Sequence, residues 1–507
     1  MLLRTQEPRV TGVGVRGSGF LRSQEHGGAC GVISVLSVAS EAFPLVKTGG
    51  LADVVGALPA ALAEHGVETT TLLPAYPALA GAAKGAKVVH RWRDLLGVEA
   101  RLLAGTVAGH PLLLLDAPML FARVGGIYDH ADDWRRFAAL GRAAADLASG
   151  AVKGRSFDIL HAHDWQAAMA PAYLRYAPGP GKPARTVMTV HNIAFQGRFD
   201  AAVFAELGLP PAAWAVDGVE YYGGVGFLKA GLEAADAITT VSPTYAAEIR
   251  DSRFGMGLEG LINVRRDRVS GIVNGIDPAV WNPETDAALP RRYSAMALAS
   301  RTVNKRAVEK MFALDMGDGP IFTVVSRLTW QKGMDVLVEC LDDLVALGGR
   351  LALLGSGDAA LEQAFAAAAV RHSGRVGVTI GYDEPLSHLL QGGTDAILIP
   401  SRFEPCGLTQ LYGLAYGCVP VVARTGGLAD TVIDANEAAL AAGVATGFQL
   451  GEVNYHSLSH AIRRAVDAYA DPTIWAALQR NGMHADFSWG QSGRRYADLY
   501  ASLEGQS

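Results

Sequence analysis

The hydrophobic positions fall into short, nearly unbroken runs separated by turn-rich stretches and amphipathic segments. Val32–Val38 is the first such run, rich in β-branched residues and free of charge. A turn-rich stretch to Gly50 follows, and Leu51–Glu64 then reads as a helix. The same grammar returns along the chain. Leu112–Leu115, Asp158–His163, Thr186–Val190, Ala237–Val241 and Arg268–Val273 are strand candidates ahead of residue 280. Pro320–Ser326, Leu351–Leu354, Val376–Ile380, Ala396–Pro400 and Val419–Ala423 follow it. Helical stripes run between them, as with Leu337, Leu341, Leu344 and Val345. Continuous apolar strands alternating with amphipathic helices predict an α/β protein with parallel sheets covered on both faces.

A chain of 507 residues exceeds one ordinary core, since domains hold roughly 100–200 residues. Two Rossmann-like doubly wound domains fit that length. The expected join lies near Asn274–Pro290, where Pro278, Pro283 and Pro290 punctuate a turn-rich passage. The divisions are then 1–31, 32–273 and 274 onward. Residues 1–31 carry Arg4, Arg9, Arg16 and Arg22 without apolar periodicity. They read as a disordered arm or an extension ahead of the true start; a transit peptide fits less well because serine is scarce. Gly12-Val-Gly-Val-Arg-Gly17 matches a dinucleotide fingerprint as a string, but it follows no strand and opens no helix.

Composition narrows the function. Half the residues are hydrophobic and 19% are charged, which excludes disorder over most of the length. No uncharged apolar run reaches the ~18 residues of a membrane span. A formal charge of −6 argues against a nucleic-acid binder, which needs a broad basic face. The cysteines Cys30, Cys340, Cys406 and Cys418 show no CxxC spacing. They read as reduced thiols of a cytoplasmic protein.

Ligands of doubly wound sheets sit at the carboxyl ends of the strands, and the polar residues there set the chemistry. The first loop supplies Glu41, Lys47, Thr48, Gly49, Gly50 and Asp53. This fits an anion cradle, and equally a surface lysine beside a helix start. Thr48-Gly-Gly-Leu-Ala-Asp53 returns as Thr425-Gly-Gly-Leu-Ala-Asp430, again after a strand and before a helix. His161-Ala-His163 ends another strand; the alternation places both rings on one face. With no third ligand nearby, a neutral histidine bonding a sugar hydroxyl is better chemistry than zinc. Asp164 fits a helix cap and Trp165 a core position. Thr189-Val-His191-Asn192 ends the next strand in the same manner.

The second half carries Ser326-Arg327-Leu-Thr-Trp-Gln-Lys332-Gly333, whose two cations suit a diphosphate. In Pro400-Ser-Arg-Phe-Glu404-Pro-Cys-Gly-Leu-Thr409-Gln410, Pro405 suits a first helical turn. The N–H groups of Cys406, Gly407, Leu408 and Thr409 would then be free for phosphate. Glu404 fits either a sugar-hydroxyl acceptor or an N-terminal cap. The chain contains no Asp-x-Asp, so a metal-bridged diphosphate has no evident ligands, and cations with helix dipoles must substitute.

Taken together, these strings resemble the bacterial glycogen synthases and the related plant starch synthases. Further matches are Phe227-Leu-Lys-Ala-Gly231, Val241-Ser-Pro-Thr-Tyr245 and Asn274-Gly-Ile-Asp277. The resemblance runs from about Val32 to Tyr500 and implies the GT-B architecture, two Rossmann-like domains facing across a cleft. It places the acceptor side in 32–273 and the nucleotide-sugar side in 274–487, with 488–507 a helix packing back on the first domain. It implies retaining transfer of glucose from ADP-glucose to the non-reducing end of an α-1,4-glucan, with no cofactor and no metal.

By the same resemblance, Glu404 and His163 hold the transferred glucose, while Arg327 and Lys332 neutralise the diphosphate. Lys47, with Gly50 and Asp53, meets the donor from the first domain. Cys406, Gly407, Leu408 and Thr409 line the phosphate, and Tyr382 meets adenine. His191, Asn192 and Asn274 complete the substrate contacts, and Asp132 and Asp133 reach the sugar or acceptor. Many relatives of this architecture carry a second Glu eight residues after the first; here that position is Tyr412, a departure shared with synthases of the glycogen and starch type. With no carboxylate pair for double displacement, front-face departure and attack within a tight ion pair is the expected mechanism. The competing readings are a UDP-glucose-dependent transferase and an inactive glucan-binding relative. Oligomeric state is left open.

Overall fold

The computed structural model describes residues 32–505 apart from residue 108. The expectations for the N-terminal arm, its Gly12–Gly17 string and Cys30 lie outside the described residues. In chain order the strands begin with β1 (Ile33–Val38), β2 (Val67–Pro74), β3 (Lys87–Trp92), β4 (Ala100–Val107) and β5 (His110–Asp116). They continue with β6 (Ile159–His163), β7 (Arg185–Val190), β8 (Arg198–Phe199), β9 (Glu220–Tyr221), β10 (Gly224–Gly226), β11 (Ala237–Thr240) and β12 (Val269–Gly271). The last six are β13 (Ile321–Val325), β14 (Arg350–Gly355), β15 (Val376–Ile380), β16 (Ala396–Ile399), β17 (Val419–Ala423) and β18 (Phe448–Leu450).

Two large sheets result. The first has the order β12-β11-β7-β6-β1-β2-β5-β4-β3, and the second β15-β14-β13-β16-β17-β18. The strands β8, β9 and β10 form a small antiparallel sheet of their own. The second large sheet is parallel throughout. The first departs from expectation at one edge, where β4 and β3 run antiparallel. The cause is the connection: only two residues separate β4 from β5, and so short a link permits only a hairpin. Neither β3 nor β4 shows the unbroken apolar run that betrays a strand covered on both faces; β3 leaves Lys87, Val88 and Val89 exposed.

Helices cover the sheets as their stripes predict. In the helix Gly50–Ala63, Leu51, Val54, Val55, Leu58 and Leu62 are buried. In Met334–Ala346, Leu337, Leu341 and Leu344 are buried, with Val345 at the margin. The last helix, Trp489–Glu504, packs Tyr496, Tyr500 and Leu503 with Val54, Leu58 and Leu62 and with Val35 and Ile159 of the first sheet. Among the described residues, no helix is long and apolar enough to cross a membrane.

Candidate active site

A cavity of 1340 Å³ lies where the carboxyl ends of both sheets meet. Its wall includes Lys47, Gly50, Asp53, Asp133, His191 and Asn192 from the first half. From the second come Asn274, Arg327, Lys332, Tyr382, Glu404, Cys406, Gly407, Leu408 and Thr409. Two expected residues, His163 and Asp132, are absent from that wall.

Glu404 and Lys332 form the centre. Lys332 Nζ donates to Glu404 Oε2 at 2.5 Å, and the Ser401 hydroxyl donates to the same oxygen at 2.9 Å. Glu404 is therefore not a helix cap. The following helix begins only at Thr409, so Pro405 precedes it instead of opening it. The reason is Gly407, whose φ of +72° turns the chain left-handed before the helix can start. Gln410 Nε2 then ties the turn down, donating to the carbonyls of Cys406 at 3.1 Å and Gly407 at 2.9 Å. The N–H groups of Gly407 and Leu408 find no acceptor among the described residues, which leaves them for an anion. Burial pushes the Cys406 thiol up to about 12, and the Asn274 N–H beside it partly offsets this. Asn274 Oδ1 is buried, with no partner among the described residues, a free acceptor on the cavity wall.

Among the described residues the Arg327 guanidinium has no carboxylate partner; its one hydrogen bond is a long 3.5 Å contact to Gln331. Across the cavity, Lys47 is engaged with Asp53 at 2.7 Å. The first Thr-Gly-Gly turn is not an open cradle. The Glu41 carboxylate accepts from the Thr48 N–H, from Thr48 Oγ1 at 2.9 Å, from the Gly49 N–H at 3.3 Å and from the Tyr128 hydroxyl at 2.9 Å.

His161 and His163 share a face of β6, as alternation requires, yet both are fully buried. His161 Nδ1 meets the Tyr500 hydroxyl at 2.8 Å and Nε2 the Thr189 hydroxyl at 2.5 Å. His163 Nε2 lies 3.2 Å from Ser37 Oγ and its Nδ1 3.1 Å from His191 Nε2. His163 thus stands one layer behind the cavity, and His191 is the ring that reaches it. Burial draws His161 and His191 down to about 3 and His163 well below its usual range, so all three are neutral.

Asp164 is no simple cap. Its φ is +54°, an uncommon conformation for a residue other than glycine. Its carboxylate accepts the His191 N–H at 2.7 Å, joining the ends of two neighbouring strands, and burial lifts its pKa to about 7. Trp165, expected in the core, touches Phe137 edge-on and also lines the cavity.

The acidic pair is committed elsewhere. Asp132 is held by both Arg123 guanidinium nitrogens, at 2.5 and 2.6 Å. Asp133 pairs with Arg136 at 2.5 Å and accepts the N–H groups of Asp129 and His130. It therefore shapes the cavity-lining loop while itself standing on the cavity wall. Lys229 is buried against the carbonyls of Val216 and Gly218. Trp281 is a lining residue that no sequence pattern flagged. It lies between the rings of Tyr412 (3.6 Å, 10°) and His388 (3.9 Å, 12°). Tyr382 reaches the cavity with an exposed ring, its hydroxyl 3.0 Å from Glu384.

Comparison with known proteins places this geometry. Residues 34–264 match the starch synthase catalytic domain, and 309–477 match the glycosyl transferases group 1 family. The chain is 68% identical over 478 residues to a glycogen synthase of Novosphingobium aromaticivorans, covering 93% of this chain and 99% of that protein. It is 61% identical over 477 residues to a glycogen synthase of Mesorhizobium japonicum, with the same coverage. The solved catalytic domain of starch synthase IV from Arabidopsis thaliana, bound to ADP and acarbose, superposes with a TM-score of 0.82 at 31% identity, covering 94% of this chain and all of that one. A sucrose-phosphate synthase of Thermosynechococcus elongatus shares the fold, with a TM-score of 0.58 at 18% identity.

Proposed function

The chain belongs to the glycogen and starch synthases, and from that premise we propose how its cleft transfers glucose from ADP-glucose to the non-reducing end of an α-1,4-glucan. The observation that carries the reading is the meeting of a sugar-hydroxyl acceptor, Glu404, with the cations Arg327 and Lys332 and the unpaired N–H groups of Gly407 and Leu408. The N–H groups and the two cations receive the diphosphate, and the charge that grows on ADP as the glycosidic bond breaks falls among them. Lys332 spends one of its three N–H donors on Glu404 and keeps two for phosphate. Glu404 accepts hydroxyl bonds from the transferred glucose, while Asn274 Oδ1 supplies another acceptor.

His191, neutral and facing the cavity, contacts the sugar, and His163 acts through it from behind. Tyr382 offers its exposed ring to adenine, and Lys47 reaches the donor once it leaves Asp53. The acceptor hydroxyl attacks from the face the leaving diphosphate occupies and passes its proton to the departing phosphate oxygen as the anomeric carbon–phosphate oxygen bond breaks, so configuration is retained. The first half, 32–273, serves the acceptor and 274–487 the donor, with the helix within 488–507 returning to the first sheet. A cytoplasmic location suits the unpaired buried thiols of Cys340, Cys406 and Cys418.

The test is glucose incorporation into a glycogen primer with ADP-glucose and UDP-glucose in parallel, EDTA present in both. Incorporation preferring ADP-glucose supports the reading. Preference for UDP-glucose overturns the donor, and absence of transfer with glucan still bound overturns the activity.

A further inference from the structure

The sequence repeat marks two Thr-Gly-Gly-Leu-Ala-Asp segments, and only the first faces the cleft. In the second, the glycines lie against the loop that carries Glu404. A Cβ on Gly426 would stand 2.0 Å from the Glu404 carbonyl oxygen, and one on Gly427 2.2 Å from that of Cys406. The Gly427 N–H donates to the carbonyls of Glu404 at 3.2 Å and Pro405 at 3.1 Å.

What holds this packing together comes from the other half of the molecule, at the helix Pro243–Glu248. The Glu248 carboxylate accepts Thr425 Oγ1 at 2.9 Å and the Gly426 N–H at 3.1 Å. Asp430 accepts the Thr244 N–H at 2.8 Å and its hydroxyl at 2.7 Å. Ser242 donates directly to the Pro405 carbonyl at 2.7 Å. That hydroxyl also accepts the Tyr245 N–H at 3.2 Å, so its direction is set by its own helix.

We infer that Ser242 and Glu248 are positioning residues for Glu404: from the first half they hold the backbone from which its carboxylate reaches Lys332 and the glucose. The inference rests on the reading of Glu404 as the group that binds the transferred sugar. Ser242 acts on the Pro405 carbonyl; Glu248 acts through the Thr425-Gly426-Gly427 turn, whose N–H groups it shares with the Glu404 loop. A reacting group must be held to within about 0.5 Å of its productive place, and a misplacement of about 1 Å costs on the order of 10²-fold in rate. The close packing also gives the paired glycines of the second copy a use away from the cleft: only a residue without Cβ lets the two backbones approach this closely.

The test uses the full chain with Ser242→Ala, Glu248→Ala, Glu248→Gln and Glu404→Gln, singly and with the first two placed on the Glu404→Gln background. Ser242→Ala and Glu248→Ala should each lower kcat by about tenfold or more, with KM for ADP-glucose and Kd for ADP within about threefold. Glu248→Gln, which keeps an acceptor oxygen for Thr425 and Gly426, should recover most of kcat. On the Glu404→Gln background neither alanine should cost anything further, since residues acting through one group are not additive. Should Glu248→Ala fail to fold, Ser242→Ala carries the same test with one bond removed. Full additivity, or unchanged kcat in both alanine variants while Glu404→Gln is impaired, overturns this inference alone. An unimpaired Glu404→Gln overturns the sugar-binding reading and this inference with it.

Discussion

Lys332 and Glu404, 72 residues apart, meet at 2.5 Å because β13 and β16 are hydrogen-bonded neighbours in one parallel sheet. The turn after β13 carries the cation and the loop after β16 the carboxylate. Parallel strands bring all their carboxyl ends to one edge, so two such loops converge without any contact between their sequences. The pair is neutral as it stands, and on the proposed reading the lysine serves both Glu404 and the diphosphate.

Glu404→Gln should lower kcat by on the order of 10²-fold or more, as loss of a group aimed at the reacting sugar does, with Kd for ADP within about threefold. Lys332→Met should weaken ADP binding and also lower the melting temperature, because it leaves a mostly buried carboxylate unpaired. Adding Glu404→Gln to Lys332→Met should restore part of the melting temperature but none of the activity. Calorimetric melts and initial rates on the same preparations check both statements; an unaltered Kd for ADP in Lys332→Met would remove the lysine from the phosphate site.

The two copies of the repeat should respond differently to the same substitution. At Gly50 nothing lies within 4 Å of the place a Cβ would take, so Gly50→Ala should fold normally and raise KM for the donor by intruding on the cavity. Gly427→Ala places its methyl against a carbonyl oxygen, an overpacking that costs about 1–3 kcal/mol. Thermal melts with donor titrations distinguish the two, and equal stability loss at both sites would refute the contrast.

Acid should destabilise the fold before it protonates the three buried histidines, His161, His163 and His191. His161 and His191 lie at about 3 when folded, against 6.5 when exposed, and His163 is also depressed, with burial the main cause. The unfolded chain therefore binds protons that the folded chain refuses, and this stabilisation is complete above about pH 6.5 and lost as pH falls below it. Asp164 works in the opposite sense: its pKa is raised from 3.8 to about 7, so its contribution is lost as pH rises through 7. Three histidines outweigh one carboxyl between pH 6.5 and 4. Melting temperatures from pH 7.5 to 5 should fall, and His161→Gln should melt lower at pH 7.5 with a shallower slope. A slope identical to that of the unaltered chain would show that His161 is not part of it.

Cys406 lies in the loop proposed to receive the diphosphate, but its thiol is buried and pushed up to about 12. Thiolate is the reactive form, so iodoacetamide at pH 8 should leave Cys406 unmodified over hours in the folded protein and modify it in urea. Peptide mapping reads this directly; rapid labelling of the native protein would mean the loop opens on that timescale.

The strand–turn–helix alternation, the ends of most parallel strands to within a residue or two, and the membership of Glu404, Lys332, Arg327, Asn274 and the 406–409 loop in one cavity were all legible in the chain. Each depends on short-range pattern, and a parallel sheet then delivers every strand end to the same edge. What a side chain meets across 100 residues or more obeys no such pattern. That His163 spends its ring on Ser37 and His191, that Glu41 fills the first Thr-Gly-Gly turn with help from Tyr128, and that Trp281 slides between Tyr412 and His388 were decided by packing. The repeat shows the division most clearly. Its two copies have the same six residues from Thr to Asp, and sequence alone predicts the same glycine turn for both. Tertiary structure set one beside the cleft and pressed the other against the Glu404 loop, because Ser242, Thr244 and Glu248 were there to meet it.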